Sequence, residues 1–190
     1  MFAISRKIVE FYKGEFLEII KTLLSGKATD GESVREFENA FAEFIDVKNF
    51  FALSSGRAAL KIILEALEFP QGSEIIIPAY TVVEVPEIVQ HLGLNPVFVD
   101  IRPTDHTMDP HRLEEKITAN TKAIIPTHLF GFPCDMEPII HLAKKYGLII
   151  IEDCAHAVGA LYKDKPVGSL GNVSFFSFAN SLSARLAFSS

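Results

Sequence analysis

Two carboxylates, a thiol and an imidazole follow an apolar run in the segment LIIIEDCAHAVGA, residues 148–160. A run of this kind, bounded by Gly147 and by charge, is typical of a strand buried on both faces of a parallel sheet. Asp153 is then expected at the carboxyl end of that strand, the edge where open α/β sheets bind ligands. It is a candidate functional group, although an aspartate in this position can also simply cap a turn.

A second candidate is the segment SSGRAAL, Ser54–Leu60, which follows an apolar run and begins a helical pattern. Small residues let backbone N–H groups approach an anion, and the helix dipole favours negative charge at that end, so phosphate is the natural ligand. The segment is not GxGxxG and lacks the lysine of a P-loop. Ser-Ser-Gly is also an ordinary helix N-cap, so both interpretations stay open.

Further polar side chains follow other predicted strands: Tyr80 and Thr81, His128, and Ser177. A lone histidine past a strand end more often makes a structural hydrogen bond than it contacts a ligand. If the strands are parallel, Tyr80 and His128 converge with Ser55 and Asp153 on one edge of the sheet, which is a stronger indication than any one of them.

The elements that must position these residues are short apolar runs alternating with helical stretches. Their starts are separated by intervals of 24, 22, 26 and 26 residues, and they lie near Phe50, Glu74, Pro96, Lys122 and Leu148. This spacing holds a strand, a helix and two loops, the βαβ unit of a largely parallel sheet. The sequence therefore predicts an α/β fold.

Other elements are indicated at both ends of this region. Helical periodicity predicts helices over Ser5–Leu24 and from about Ser33 to Ile45, and VSFFSF, Val173–Phe178, predicts one more strand. Asp109 before Pro110 indicates a helix start, Gly147 a helix stop, and YKDKPVG a tight turn between short strands.

Composition limits the function classes. The 190 residues are 48% hydrophobic and 22% charged, which indicates one substantial folded domain. A net charge of -6 without a basic cluster argues against a nucleic-acid partner. No apolar stretch approaches the roughly 20 residues that span a bilayer, and the charged start is unlike a signal peptide, so no membrane association and a cytoplasmic location are expected. The two cysteines form no metal or disulfide pattern and are expected to be buried thiols.

Taken together, the motifs resemble a known family. SSGRAAL, EIIIPAYT, PVFVDI, TKAIIPTHLFGFPCDM, IIIEDCAHAVGALYKDKPVGSLG and FFSF follow one another as in the DegT/DnrJ-type sugar aminotransferases, from about Val34 to Phe178. The resemblance implies a fold-type I enzyme dependent on pyridoxal 5'-phosphate (PLP), whose large domain is a three-layer α/β/α sandwich with a mostly parallel sheet. It also implies transfer of an amino group, usually from glutamate, to a nucleotide-linked keto sugar, by a homodimer with its active site at the subunit interface.

The resemblance assigns cofactor-binding roles residue by residue. Gly56 and Arg57 match the turn that cradles the cofactor phosphate, where threonine is more usual than arginine, and Ser177 matches the hydroxyl that reaches it. Asp153 resembles the acid that pairs with the pyridinium nitrogen and keeps it protonated. His156 resembles the residue placed against the ring and its phenolic oxygen.

Two departures from the family pattern matter. The aromatic residue expected two positions after Tyr80 is Val82, so its ring contact is missing or is made by Tyr80. The lysine that forms a Schiff base with the cofactor should follow Ser177 by five residues, and that position is Leu182, which has no amine. The resemblance therefore leaves no catalytic residue at this position, and the Gly-rich segment and C-terminal small domain are also missing.

The expected organisation is an N-terminal helical segment at residues 1–48, a PLP-transferase large domain at 49–180 and an atypical tail at 181–190. The tail is either truncated or frame-shifted, or the frayed end of a naturally short protein. Functionally, the chain is expected to be an inactive form of a nucleotide-sugar aminotransferase that binds PLP weakly if at all. The alternative is a degenerate paralogue acting as a binding or regulatory partner. A Ser/His/Asp hydrolase is disfavoured because no GxSxG motif is present.

Overall fold

A computed structural model of the chain describes Lys21 and residues 31–178. The chain divides into two compact units, Met1–Ala52 and Leu53–Ser190, and each is described by itself. Apart from Lys21, the predicted helix over Ser5–Leu24 lies outside the described residues, as do Leu182 and the tail at 181–190.

The described part of the first unit is built on one helix, α1, Glu32–Phe44. The sequence predicts it one residue later at each end, which is within the usual fraying of helix boundaries. Aromatic side chains pack against the apolar face of this helix: Phe41 is 1% exposed, and its ring centroid lies 4.5 Å from that of Phe50. Contact between the helix and the segment after it thus stabilises α1.

The second unit contains a parallel five-stranded sheet of β1 Glu74–Pro78, β2 Asn95–Val99, β3 Thr121–Ile124, β4 Ile149–Asp153 and β7 Val173–Phe175. The strand order is β2-β1-β3-β4-β7, and the two short strands between β4 and β7 in the chain, β5 Leu161–Tyr162 and β6 Lys165–Pro166, form a separate pair. Four of the five parallel strands correspond to the apolar runs that start near Glu74, Pro96, Lys122 and Leu148. The parallel α/β sheet predicted from the spacing is confirmed.

Helices cover both faces of this sheet. They are α2 Gly56–Ala66, α3 Glu84–His91, α4 Pro110–Leu113 with a 3₁₀ turn at Glu114–Lys116, and α5 Met136–Tyr146. Because strand side chains alternate between faces, Ile75 and Ile77 pack with α2 and α3, whereas Ile76 packs with α5 on the other side. Two apolar cores therefore enclose the sheet, as in a three-layer α/β/α sandwich.

The strand predicted at FFAL, Phe50–Leu53, is wrong for the described residues. Phe51 is 72% exposed and Leu53 is 47% exposed, and no described strand pairs with this segment. An apolar run favours burial, but a strand also needs a neighbour to satisfy its N–H and C=O groups. The strand predicted over Val173–Phe178 is also shorter than expected, since it ends at Phe175 and leaves Ser177 beyond it.

The predicted helix ends and turn are confirmed. The carboxylate of Asp109 accepts the N–H of His111 at 3.0 Å, and Gly147 ends α5 with φ of 67°. The short strands β5, Leu161–Tyr162, and β6, Lys165–Pro166, form an antiparallel hairpin. Both cysteines are buried free thiols. Among the described residues, no helix combines the length and apolarity needed to cross a membrane.

Candidate functional site

The two carboxylates at the end of β4 lie on opposite faces of the sheet. Ile150 belongs to the core under α5, and Ile151 belongs to the core under α2 and α3. Continuing this alternation places Glu152 on the α5 face and Asp153 on the α2 face. Neighbours in sequence therefore occupy different environments.

Asp153 is anchored by its backbone and by one carboxylate oxygen. It is 4% exposed, its N–H donates to the carbonyl of Pro126 at 2.9 Å, and its own carbonyl accepts the N–H of His128 at 2.9 Å. The Oδ1 atom accepts the N–H of Ala155 at 3.1 Å, and Oδ2 lies 3.4 Å from the hydroxyl of Thr127. The turn-capping role is thus observed, and it occupies only one of the two oxygens.

The surroundings of Asp153 disfavour its charge. Burial raises the pKa of this carboxyl above its ordinary value, and the N–H of Ala155, with His156 and His128 nearby, offsets the rise only in part. A cationic group placed beside Asp153 would favour the ionised form. The residue is therefore suited to receive a positively charged ring nitrogen.

Gly56 and Ser177 are brought together at the start of α2. The hydroxyl of Ser55 accepts the N–H of Ala58 at 3.1 Å, so it is the N-cap of this helix. A Cβ atom added to Gly56 would lie 3.2 Å from the Cβ of Ser177. Glycine thus permits the close approach of the two segments, and it places a hydroxyl beside a helix N-terminus.

Pairing between β4 and β7 places this pair on the same edge as Asp153. Asp153 is opposite Phe175 in the parallel ladder, and the ring of Phe175 lies 3.7 Å from the position of a Cβ on Gly56. Ser177 follows Phe175 by two residues. The carboxyl end of the sheet therefore carries Asp153, Gly56 and Ser177 on the side covered by α2.

His156 lies in the turn after β4 and stacks on another side chain. Its ring is nearly parallel to that of Phe130, at 14° and a centroid distance of 5.6 Å. The N–H of Gly131 donates to the carbonyl of His156 at 2.9 Å. The segment after β3 therefore contacts His156 through both ring and backbone, a relation that nothing in the sequence pattern signals.

Two other predicted residues direct their side chains elsewhere. The guanidinium of Arg57 pairs with Glu84 at 3.1 Å across a cleft of about 460 Å³ between α2 and α3, and its side chain is 67% exposed. Tyr80 is 46% exposed, and its ring lies 6.1 Å from that of His106. Val82 is 50% exposed. Arg57 thus brings its backbone, rather than its guanidinium, to the start of α2.

His128 has the structural role that the sequence left open as an alternative to ligand binding. It is fully buried, its Nδ1 accepts the N–H of Cys134 at 3.0 Å, and its Nε2 lies 3.0 Å from Glu152. Because a backbone N–H donates to Nδ1, the ring proton belongs on Nε2, from which it is donated to the carboxylate. The expectation that His128 joins the ligand edge is therefore wrong, since its side chain is enclosed on the α5 face.

Glu152 is the residue that sequence reasoning missed. It is 0% exposed, its Oε1 accepts the N–H groups of Leu170 at 2.8 Å and Gly171 at 2.6 Å, and its Oε2 accepts that of Gly168 at 2.9 Å. Burial alone would raise its pKa, but the hydrogen bond from His128 and the backbone N–H donors hold the pKa below its ordinary value. The one feature of the sequence that could have indicated a role for Glu152 is the presence of a second carboxylate at the end of an otherwise apolar, buried run.

One group of donors in the described region has the size of a metal site: His128, Glu152 and Cys154, whose ligand atoms lie within 4.8 Å of one another. Their lone pairs are committed, because the imidazole and both carboxylate oxygens already make hydrogen bonds. Burial also raises the pKa of the Cys154 thiol well above its ordinary value, which disfavours the thiolate that a metal needs. These residues are better explained as a buried hydrogen-bond network.

Comparison with known proteins shows which family this chain is similar to. A sequence model of the DegT/DnrJ/EryC1/StrS aminotransferase family matches residues 11–182. GDP-perosamine synthase of Caulobacter vibrioides is 43% identical over 148 residues, which cover 78% of this chain and 40% of that protein.

Solved structures agree. The aminotransferase from Psychrobacter cryohalolentis superposes with a TM-score of 0.86 at 37% identity, covering 90% of this chain and 44% of the other. The PLP-form of Spr1654 from Streptococcus pneumoniae superposes with a TM-score of 0.83 at 34% identity, covering 90% of this chain and 48% of the other. The chain thus spans less than half the length of these relatives.

Proposed function

The chain belongs to the DegT/DnrJ/EryC1/StrS aminotransferase family, and on this premise we propose that its second unit is the PLP-binding part of a nucleotide-sugar aminotransferase. The observation that carries the proposal is the buried carboxylate of Asp153 on the same edge and face of the sheet as the Gly56 and Ser177 pair. That arrangement offers an anion for a cationic ring and a helix N-terminus for a phosphate.

The residues present fit PLP. Asp153 would pair with the ring nitrogen, the backbone N–H groups of Gly56 and Arg57 with the hydroxyl of Ser177 would hold the phosphate, and His156 would lie against the ring. When bound, PLP supplies an electron sink that stabilises negative charge at the carbon bearing the transferred nitrogen. The protein's part is to bind, orient and tune that ring.

Asp153 has the most specific task. In a buried setting, a carboxylate and a protonated ring nitrogen attract each other more strongly than in water. Asp153 would therefore keep the proton on the ring nitrogen. The N–H of Ala155 holds Oδ1 in place, and Oδ2, which has only the long contact of 3.4 Å with the Thr127 hydroxyl, would be the oxygen that receives the ring nitrogen.

Substrate and assembly follow from the relatives. One of them is a GDP-perosamine synthase, which points to a nucleotide-linked sugar. We infer that the full-length form transfers an amino group from glutamate to a nucleotide-linked keto sugar and acts as a homodimer. This chain spans less than half of that relative, so these properties belong to the proposal for the whole protein.

The chain as written is proposed to be catalytically inactive, because Leu182 stands where the family has its lysine. Leucine can neither form a covalent link to the cofactor nor move a proton. The same observation favours a second candidate function, a non-catalytic binding or regulatory partner. The DNA beyond codon 190 separates the two: an encoded lysine, a Gly-rich loop and a further domain would support the aminotransferase, and a clean stop would support the paralogue.

A titration of the full chain with PLP tests the cofactor proposal. Weak, saturable binding by absorbance is expected, with competition by inorganic phosphate and at least about tenfold weaker binding in Asp153→Asn, since a charged hydrogen bond is lost. Asp164→Asn, in the exposed hairpin turn, is the matched control. The absence of saturable binding would overturn the proposal.

Borohydride reduction followed by peptide mass spectrometry tests the inactivity. The wild-type chain is expected to yield no cofactor adduct at a defined lysine, whereas Leu182→Lys should yield one at residue 182. A specific adduct in the wild-type chain would contradict the claim that it lacks a functional lysine.

A further inference from the structure

The turn Leu129–Phe132, between β3 and α5, has an unexpected residue at its tip. Leu129 and Phe132 exchange both backbone hydrogen bonds, at 3.0 and 2.8 Å, so the connection is a two-residue hairpin. Phe130 has φ of 52° and Gly131 has φ of 86°, which together make a type I′ turn. Such turns favour Asn-Gly, and a bulky aromatic residue in the left-handed region is strained.

Burial does not account for this strain, because Phe130 is 57% exposed. What the conformation achieves is contact with His156. The two rings are stacked at 14° and 5.6 Å, and the N–H of Gly131 binds the carbonyl of His156 at 2.9 Å. A strained residue that contacts a candidate site residue is a reason to look for function there.

The backbone around His156 is already fixed relative to Asp153. The N–H of Ala155 donates to the Asp153 carboxylate at 3.1 Å, and the N–H of Ala157 donates to the carbonyl of Cys154 at 3.1 Å. These bonds place the Cα of His156, and they do not themselves set the torsions of its side chain. The parallel ring of Phe130 restricts the plane of the imidazole.

We propose that Phe130 is a positioning residue that holds the His156 ring for the cofactor. Its offset stack lies against one side of the imidazole, so the opposite face and the ring edge are the surfaces that His156 would present to a flat ligand. The inference rests on the proposed function in one respect, that the ligand is PLP. The orientation of His156 by Phe130 does not depend on it.

The decisive substitution is Phe130→Asn, because it separates stability from positioning. Asn-Gly is the preferred pair for a type I′ turn, so the melting temperature should stay the same or rise. With the stack removed, PLP affinity should fall roughly fivefold, the size expected for one lost ring pair. A residue with a merely structural role would not lower affinity while stability is maintained.

Two further variants control the result. Phe130→Tyr keeps an aromatic ring and should restore PLP affinity to within about twofold of wild type. Phe132→Leu changes the other exposed phenylalanine of the turn, 60% exposed, for which no ring stack is found among the described residues. It should leave affinity unchanged.

A readout without PLP completes the test. The ring protons of His156, assigned by comparison with His156→Asn, are observed by NMR in the apo chain. Phe130→Asn should remove a ring-current shift that Phe130→Tyr and Phe132→Leu preserve. Unchanged His156 resonances in Phe130→Asn, or equal effects of Phe132→Leu, would overturn the proposal. If wild type fails to bind PLP, the proposed function fails, and the resonances still decide whether Phe130 orients His156.

Discussion

Glu152 and Asp153 show how adjacent residues of one type acquire opposite properties. Strand alternation directs Glu152 to the α5 face, where His128 and three backbone N–H groups surround it. Asp153 turns to the α2 face, where it has fewer donors. The pKa of the first is lowered and that of the second is raised. One is suited to hold a loop, and the other to receive a cation.

Replacing Glu152 by glutamine should destabilise the fold. The amide would place an NH₂ group against donors, leaving at least one buried polar group unsatisfied and breaking the pair with His128. We expect the free energy of unfolding to fall by about 3 kcal/mol, measured by urea denaturation at neutral pH. Glu115→Gln, whose ion pair with Arg112 spans 4.0 Å at the surface, should change it by less than about 0.5 kcal/mol. Equal effects of the two would contradict a special role for Glu152.

At the scale of single residues, the sequence located Asp153 at a strand end but did not indicate the hydrogen-bonding role of Glu152. A strand-end carboxylate is visible from the apolar run before it. The backbone partners of Glu152 come from the loop at Gly168–Gly171, which returns to the strand 16 to 19 residues later. No local pattern indicates that return, so the network becomes evident only in three dimensions.

Helix α2 is the element that links sequence and site most directly. Its first turn supplies the backbone N–H groups proposed for the phosphate, and its position depends on Gly56 packing against the segment after β7. Ser55 ends the preceding loop in extended geometry and caps the helix. The start of the helix and the proposed phosphate site are therefore the same structural feature.

Ser55→Ala should cost about 1 kcal/mol of stability, because it removes the acceptor for the N–H of Ala58. Ser54→Ala is the matched control, since Ser54 is exposed and makes no side-chain hydrogen bond found among the described residues. It should change stability by less than about 0.5 kcal/mol. Thermal unfolding followed by circular dichroism measures both. A larger loss for Ser54→Ala would show that the cap is assigned to the wrong serine.

The repeat of apolar runs predicted four of the five parallel strands and the helices between them. It failed at Phe50–Leu53, because hydrophobicity reports a preference for burial and carries no information about the pairing partner. The separate strand prediction over Val173–Phe178 likewise extended β7 beyond Phe175, where the pairing ends. The apolar runs thus predicted the parallel arrangement of the sheet better than they predicted which run joins it.

Considered as a whole, the second unit has two different sides at the carboxyl edge of its sheet, one closed and one proposed to face the ligand. The α5 side is filled by the Glu152 and His128 network. The α2 side carries Asp153, Gly56 and Ser177. The family relatives share this part of the chain, which covers 40% to 48% of the lengths compared.

The buried charge of Asp153 should reduce the stability of the apo chain, and Asp153→Asn should relieve it. Because the pKa of Asp153 is raised on folding, its ionised form is disfavoured in the native state at neutral pH. Asparagine should therefore raise the free energy of unfolding by on the order of 1 kcal/mol at pH 7, as measured by urea denaturation. The gain should shrink as pH falls through the raised pKa and be gone below the ordinary value of 3.8, where the aspartate is protonated in both states.

The stability contributed by Glu152 should depend on pH in the opposite way, because its pKa is lowered on folding. Its contribution is complete above the ordinary value of 4.5 and is lost as pH falls through the lowered pKa.

Saturating PLP should make the wild-type chain more stable than Asp153→Asn at pH 7, reversing the difference expected without PLP, because a ligand stabilises the protein that binds it more tightly. A gain for Asp153→Asn that persists unchanged into acid would show that its origin is not the charge.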